Sequence, residues 1–198
     1  MSNLIVGTNR ENIMQEILVD KDTNALVITT TVNENIHRGI VFEAYKKVTL
    51  ASNASEIIAI IIPDNIKFHF IGTEIVTSAD NVTIVPKLGA AITGGNSINI
   101  FNLNHEYINP VDGLPINDKY KSKVTLVDTP TINTAGYQFT QIYLGGSTGV
   151  GQSRGGASYN LNIQRNLVSN TTYTYTITND STVSNTIQIN AFWEEIPL

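Results

Sequence analysis

At 198 residues, 41% of them hydrophobic, the chain suits one domain that buries roughly 70% of the surface its unfolded form exposes. The net charge is −5, and Lys46-Lys47 and Lys119 to Lys123 are the nearest approach to a basic cluster, which excludes the grouped positive face that nucleic-acid binding needs. No cysteine is present, so a disulfide framework and a thiolate metal site are excluded as well.

The polar remainder is unusual. Charged residues make up 15%, against about 25% in a typical domain. Ile occurs 27 times, and Asn and Thr 23 times each. Ile and Thr are β-branched and fit a pleated, half-buried surface, while Asn tolerates positive φ and closes turns through its side chain. Strands joined by Asn turns are the expectation.

Residues 1–24 read as an N-terminal arm, with weak helical spacing over Glu11 to Val19 through Ile13, Ile17 and Leu18. At its end, DKDTNAL places Asp20, Asp22 and Asn24 at the first three ligand positions of a calcium loop. Ala25 replaces the turn glycine and Thr31 the bidentate Glu, so an Asp/Asn turn into a strand is the better reading. From residue 25 to 198 the pattern is that of a β-sandwich. Strands are expected near 25–32, 40–48, 56–62, 67–76, 81–88, 97–104, 121–128, 137–144, 158–166, 172–179 and 185–194. In KFHFIGTEIV, Phe68 and Phe70 share one face and Lys67 and His69 the other; in TTYTYTITN, Tyr173, Tyr175 and Ile177 oppose the threonines. The longest apolar run, Ile57 to Ile62, reads as a buried strand and is far too short to span a membrane. With no signal-peptide pattern, a soluble protein made in a cytoplasm, without a membrane partner, is expected.

Residues 105–120, HEYINPVDGLPINDKY, hold two prolines, a glycine and no periodicity, and read as a long connection between two strand clusters. Short strands with a long crossover suit an all-β, two-sheet, jelly-roll-like sandwich better than an up-and-down barrel.

The stretch GSTGVGQS, from Gly146 to Ser153, is one residue away from a phosphate loop, with Gln152 where the lysine belongs. The segment after it, SRGGASYNLNIQ, alternates like a strand and lacks the helix whose N–H groups would hold phosphates. Gly145, Gly146, Gly149, Gly151, Gln152, Arg154, Gly155 and Gly156 therefore read as a glycine-rich contact loop. Four Asn-x-Ser/Thr sequons, at Asn53, Asn81, Asn170 and Asn179, are what an Asn- and Thr-rich chain makes by chance. His37, His69 and His105 are scattered, and no metal or other cofactor is expected. Glu194 and Glu195 are adjacent, so on a strand they face opposite ways, the wrong geometry for an acid–base pair. No serine or threonine sits in a nucleophile elbow. No enzymatic activity is expected.

Five stretches in order, NIHRGIVFEAY (35–45), IIPDNIKFHFIG (61–72), GGNSINIFNLNHE (94–106), DTPTINTAGYQF (128–139) and NTTYTYTITNDS with INAFWEE (170–195), resemble a family of small virion structural proteins of tailed bacteriophages. The elements that carry the likeness are His37, Gly39 and Phe42; Asn170, Thr171 and Tyr173; and Trp193 with Glu194. The end departs from the family pattern, where an aromatic residue would separate Trp193 from its Glu. The resemblance implies a non-enzymatic capsid decoration or auxiliary protein on the outer surface of a phage head. Its partner would be the major capsid protein, and self-association, with a trimer as the guess, is implied too. From the residues themselves, the arm 1–24 and the glycine loop are the contact segments expected. A head-fibre or tail module binding host-surface glycan is the alternative, using Tyr137, Tyr143, Tyr159, Tyr173 and Tyr175. His37 and Gly39 also read simply as a turn leading into a strand, with Gly39 at positive φ, and Trp193 as a core residue.

Overall fold

The computed structural model describes residues 35–79, 81–145 and 165–198, and the backbone strands 5–8, 14–17 and 157–161. Ile5–Thr8 (β1) and Met14–Ile17 (β2) pair antiparallel. The helical spacing over Glu11 to Val19 is thus overridden at β2. A nine-residue helix is too short to offset its own nucleation, whereas pairing with β1 satisfies backbone groups at once. The strand expected at 25–32 and the calcium-like turn lie outside the described residues.

The body begins with Val41–Leu50 (β3), Ser55–Ile62 (β4), Ile66–Thr77 (β5) and Val82–Leu88 (β6). Five short strands follow: Ala91–Thr93 (β7), Asn96–Ser97 (β8), Phe101–Asn102 (β9), Thr125–Asp128 (β10) and Thr131–Thr134 (β11). Tyr137–Gln138 (β12), Ile142–Leu144 (β13), Ala157–Leu161 (β14), Arg165–Leu167 (β15), Thr171–Asn179 (β16) and Asn185–Pro197 (β17) complete it.

The pairing is that of a long hairpin rolled up. β3 pairs with β17, β4 with β16, β5 with β14 and β15, and β6 with β12 and β13. One sheet runs β14-β5-β17-β3-β9 and the other β12-β6-β16-β4-β10-β8. This is the expected jelly roll. β7 and β11 form a separate ribbon, which the sequence reading does not contain. The single strand expected at 97–104 is two pieces, because β8 pairs with β10 in one sheet and β9 with β3 in the other. The chain crosses between layers there, and one strand cannot belong to both.

Alternation fills the interior. Phe42 and Ala44 of β3, Ile60 and Ile62 of β4 and Tyr173 and Ile177 of β16 point inward and are buried. On β5 the inward set is even-numbered at Ile66 and Phe68 but odd-numbered at Ile75 and Thr77. The switch is a bulge: Trp193 faces Phe70 and Phe192 faces Gly72, leaving Ile71 unpaired. Trp193 stacks between Phe42 and Phe68, at ring centroids of 6.2 and 5.9 Å. Its indole N–H donates to Glu195 Oε1 at 2.9 Å. The buried Glu195 carboxylate also accepts from the Lys123 amide at 2.7 Å and from the Ser122 hydroxyl. Glu194 faces the other way, taking the Asn35 amide at 3.0 Å and lying 3.1 Å from His69 Nδ1. The two carboxylates are on opposite faces, as the strand period requires.

Asparagine works from inside as well as at turns. Asn53, Asn81 and Asn170 adopt φ of 59°, 64° and 53°, so three of the four sequon asparagines sit in left-handed turns. Asn179, fully buried, donates to the carbonyls of Leu50, Ala51 and Val183 at 2.8–3.0 Å and accepts from the Ser181 amide at 3.1 Å. Asn185, also fully buried, accepts from the Ser78 and Ala79 amides and donates to the Ala79 carbonyl.

One ion cluster joins the layers. Lys46, on the inward face of β3, pairs with Asp128 at the end of β10 and lies 3.4 Å from Glu56 at the start of β4. Burial alone would raise the Asp128 pKa, but the hydrogen bond from Lys46, with help from Asn96 and Thr129, holds it below the ordinary 3.8. Burial would likewise lower Lys46, yet its bond to Asp128 and the charge of Glu56 carry it above the ordinary 10.5. A depressed carboxylate stabilises the fold above its unfolded pKa and stops doing so as pH falls through its folded one. A raised lysine does so below its unfolded pKa and stops as pH rises through its folded one. The cluster therefore acts fully between about pH 4 and pH 10. We expect Asp128→Asn to lower stability at pH 7 by about 1–2 kcal/mol, between the values for exposed and buried pairs. Urea denaturation should show the gap to the unsubstituted protein narrowing progressively below pH 3.8.

Candidate interaction surface

The 105–120 connection is a built structure. Its base is set by Asn102, almost fully buried at the end of β9. The Asn102 amide donates to the carbonyls of Gly39 at 2.8 Å and Tyr120 at 3.0 Å, and its carbonyl accepts from the Asn104 N–H at 2.9 Å. Asn104 caps the 3₁₀ turn His105–Tyr107 by accepting from the Glu106 N–H, and donates to the His37 carbonyl at 3.3 Å. The Tyr107 hydroxyl donates to the same carbonyl at 3.0 Å. Interaction with Tyr120 raises the Tyr107 phenol above its ordinary pKa. The rings of Tyr107 and Tyr120 lie parallel, centroids 3.6 Å apart, against Gly39.

Gly39 is required twice over. Its φ is +70°, and a Cβ there would lie 2.7 Å from the Tyr107 ring and 2.8 Å from Tyr120. His37 and Gly39 thus form the expected turn ahead of β3. That turn also seats the aromatic pair, a role the sequence reading does not contain.

Beyond this base the chain makes a tight, self-bonded hairpin. Ile108 bridges Pro115, the Asn109 N–H donates to the Leu114 carbonyl at 2.8 Å, and the Ile116 N–H to the Tyr107 carbonyl at 2.9 Å. The Val111 N–H donates to Asn109 Oδ1 and the Leu114 N–H to Asp112 Oδ1. Gly113 closes the tip at φ +71°. The result is an ordered knob that presents apolar side chains to solvent: Val111 is 91% exposed, Leu114 61% and Ile116 59%. Beside it, a groove is walled by Tyr45 and Phe101, stacked at 6.4 Å, with Glu43 and His105. Ordered backbone under exposed apolar groups is what a contact surface requires, because the ordering cost is met before a partner arrives.

Of the contact residues read from sequence, Gly146, Gly149, Gly151, Gln152, Arg154, Gly155 and Gly156 lie outside the described residues. Gly145 follows β13, where a Cβ would lie 2.4 Å from the Tyr143 ring. In the arm, β1 and β2 are the described part. Tyr137 and Tyr143 are 74% and 61% exposed, but Tyr173 is buried and Tyr175 faces the interior, so neither of the last two can meet a surface glycan. His37, His69 and His105 do not converge, and among the described residues no group of three His, Asp or Glu could hold a metal ion. No helix among them is long and apolar enough to cross a membrane. Aperiodic sequence reads as connection and hides the knob; Val111, Leu114 and Ile116 standing among turn residues are its one signal.

No family model and no curated protein matches the chain. Among solved structures, that of the infectious bursal disease virus Gx strain is 13% identical, covering 92% of this chain and 46% of that one at a TM-score of 0.15. The infectious bursal virus derived T=1 particle is 15% identical, covering 92% and 44% at a TM-score of 0.12. The chain spans less than half the length of those it matches. Both neighbours come from virus particles, but likeness this slight carries no argument about fold or role, and the jelly roll rests on the strand pairing described above.

We expect Gly39→Ala to destabilise the protein by about 2 kcal/mol or more, from backbone strain and displacement of the tyrosine pair. Urea denaturation measures the loss, and amide exchange at Gly113 and Ile116 should accelerate as the knob loosens.

Proposed function

We propose that the chain is a non-enzymatic structural component of a virion, a decoration protein that binds the outer surface of a phage head and stabilises it. The observation that supports this most is the preordered apolar knob carried on a jelly-roll body. Such a surface binds a partner and has no evident chemistry to perform. The resemblance to virion proteins of tailed phages supports the same reading, since its His37–Gly39 element seats the tyrosines at the base of the knob.

The mechanism is mass action. A protein that binds only the assembled shell shifts the equilibrium toward it. An interface of about 1,200–2,000 Å² per site suffices, and repetition over the shell adds avidity. Val111 and Leu114 are the anchors, each contributing about 1.5–3 kcal/mol on full burial. The major capsid protein is the partner in this reading, and self-association of the chain would multiply the contacts.

The first measurement is copy number in purified particles, by quantitative mass spectrometry against the most abundant shell protein. Hundreds of copies in a simple ratio support decoration; about a dozen transfer the protein to a fibre or tail, and none removes it from the virion. The double substitution Val111→Asp, Leu114→Asp should cut incorporation at least tenfold while leaving the melting temperature almost unchanged. Undiminished incorporation would move the contact away from the knob.

A further inference from the structure

The buried side chains form two clusters, one around Trp193 and one around Ile75, Ile177 and Ile187. Between the facing sheets, bordered by both, is a cavity of about 120 Å³. Ile58 and Ile60 of β4, Phe70 of β5, Ile84 of β6 and Ala191 of β17 make its wall almost wholly apolar. The lining reaches the surface at Phe139, 37% exposed, and at exposed Arg165, which gives a small molecule a way in.

Tyr175 of β16, half-buried, lines this wall. Its neighbour on the same face, Tyr173, accepts the Val168 N–H through its hydroxyl at 3.0 Å. No hydrogen bond ties the Tyr175 hydroxyl to a described residue, and the side chain lines the cavity. Burial, and secondarily Tyr173, raise its pKa, so it remains an O–H donor. A donor lining an apolar cavity calls for an acceptor there. Water is a poor candidate, because it needs two to four polar partners and the wall offers few. The cations of the lining do not favour an anion: Lys46 is held by Asp128 and Glu56, and Arg165 lies 6.0 Å from the Phe139 ring centroid. Apolar walls with one placed polar group are the usual make-up of a small-molecule site. An engineered apolar cavity of about 150 Å³ takes up benzene, which sets the scale.

We propose that the intersheet cavity binds a small, neutral, mostly apolar molecule, about one ring in size, whose acceptor oxygen takes a hydrogen bond from Tyr175. This site is distinct from the knob and does not rest on the virion role.

The test compares acetophenone, which has the oxygen, with ethylbenzene, which lacks it, by calorimetry and by amide and methyl NMR shifts on the full chain. Acetophenone should bind about tenfold more tightly, the worth of one hydrogen bond, with shifts at Ile58, Ile84 and Ala191. Tyr175→Phe should erase that preference and keep ethylbenzene binding. Ala191→Leu, which fills the space, should abolish both. Absence of binding, shifts confined to surface residues, or equal affinity for the two probes in the unsubstituted protein would each overturn the proposal, whether or not the variants fold. So would a preference that survives Tyr175→Phe.

Discussion

The structure depends first on where its last strand goes. β17 is 13 residues long and lies between β3, the first long strand of the body, and β5. The same strand inserts Trp193 between Phe42 and Phe68 and places Glu195 where it orders Ser122 and Lys123. Its opposite face gives Glu194 to Asn35 and His69. β3 and β5 each have an earlier partner on their outer side, but they are joined to one another only when β17 arrives, so this sheet closes late. Such long-range pairing carries a large loop-closure cost and folds slowly.

A jelly roll places many chain reversals at the two ends of its sheets, where backbone groups are left without ladder partners. Cysteine-rich domains tie such ends covalently; here carboxamides do it. Asn179 gathers three carbonyls and Asn185 the 78–79 turn at one set of reversals, while Asn102 joins the Gly39 turn to Tyr120 at another. An amide offers donor and acceptor together and carries no charge to desolvate. That accounts for an Asn-rich composition with few charges better than a purely solvated coat does.

What could be read from the sequence was what period two encodes. β3 to β6, β16 and β17 lie close to the expected boundaries, with Phe68 and Phe70 on one face and Tyr173, Tyr175 and Ile177 on another. The interior role of Trp193 and the opposition of Glu194 and Glu195 followed from the same rule. Pairing is not written in any one strand, so the split at 97–104, where the chain changes sheets, was invisible. So was the bulge at Ile71, which flips the parity of β5. The tyrosines show the limit most clearly. Alternation put Tyr173 and Tyr175 on one face, but only packing decides that this face is the interior, and that one hydroxyl meets an amide while the other borders a cavity. The knob escaped for a related reason: its order comes from Asn and Asp side chains bonding their own backbone, which leaves no periodic trace.

The excursion between β6 and β12 is where body and surface meet. It adds β10 and β8 beside β4 in one sheet and β9 beside β3 in the other, so it covers an edge of each layer that would otherwise offer unpaired backbone. The knob rises from this excursion between β9 and β10. Its base is tied through Asn102 and Asn104 to the turn that leads into β3, and β3 is the partner of β17. A load applied at Val111 or Leu114 therefore passes through hydrogen-bonded turns into the central strands, without relying on a flexible linker. Contact surfaces carried on loops gain precision when the scaffold holds them this firmly. The rolled hairpin thus supplies rigidity, and the inserted segment holds exposed apolar side chains on that rigid support.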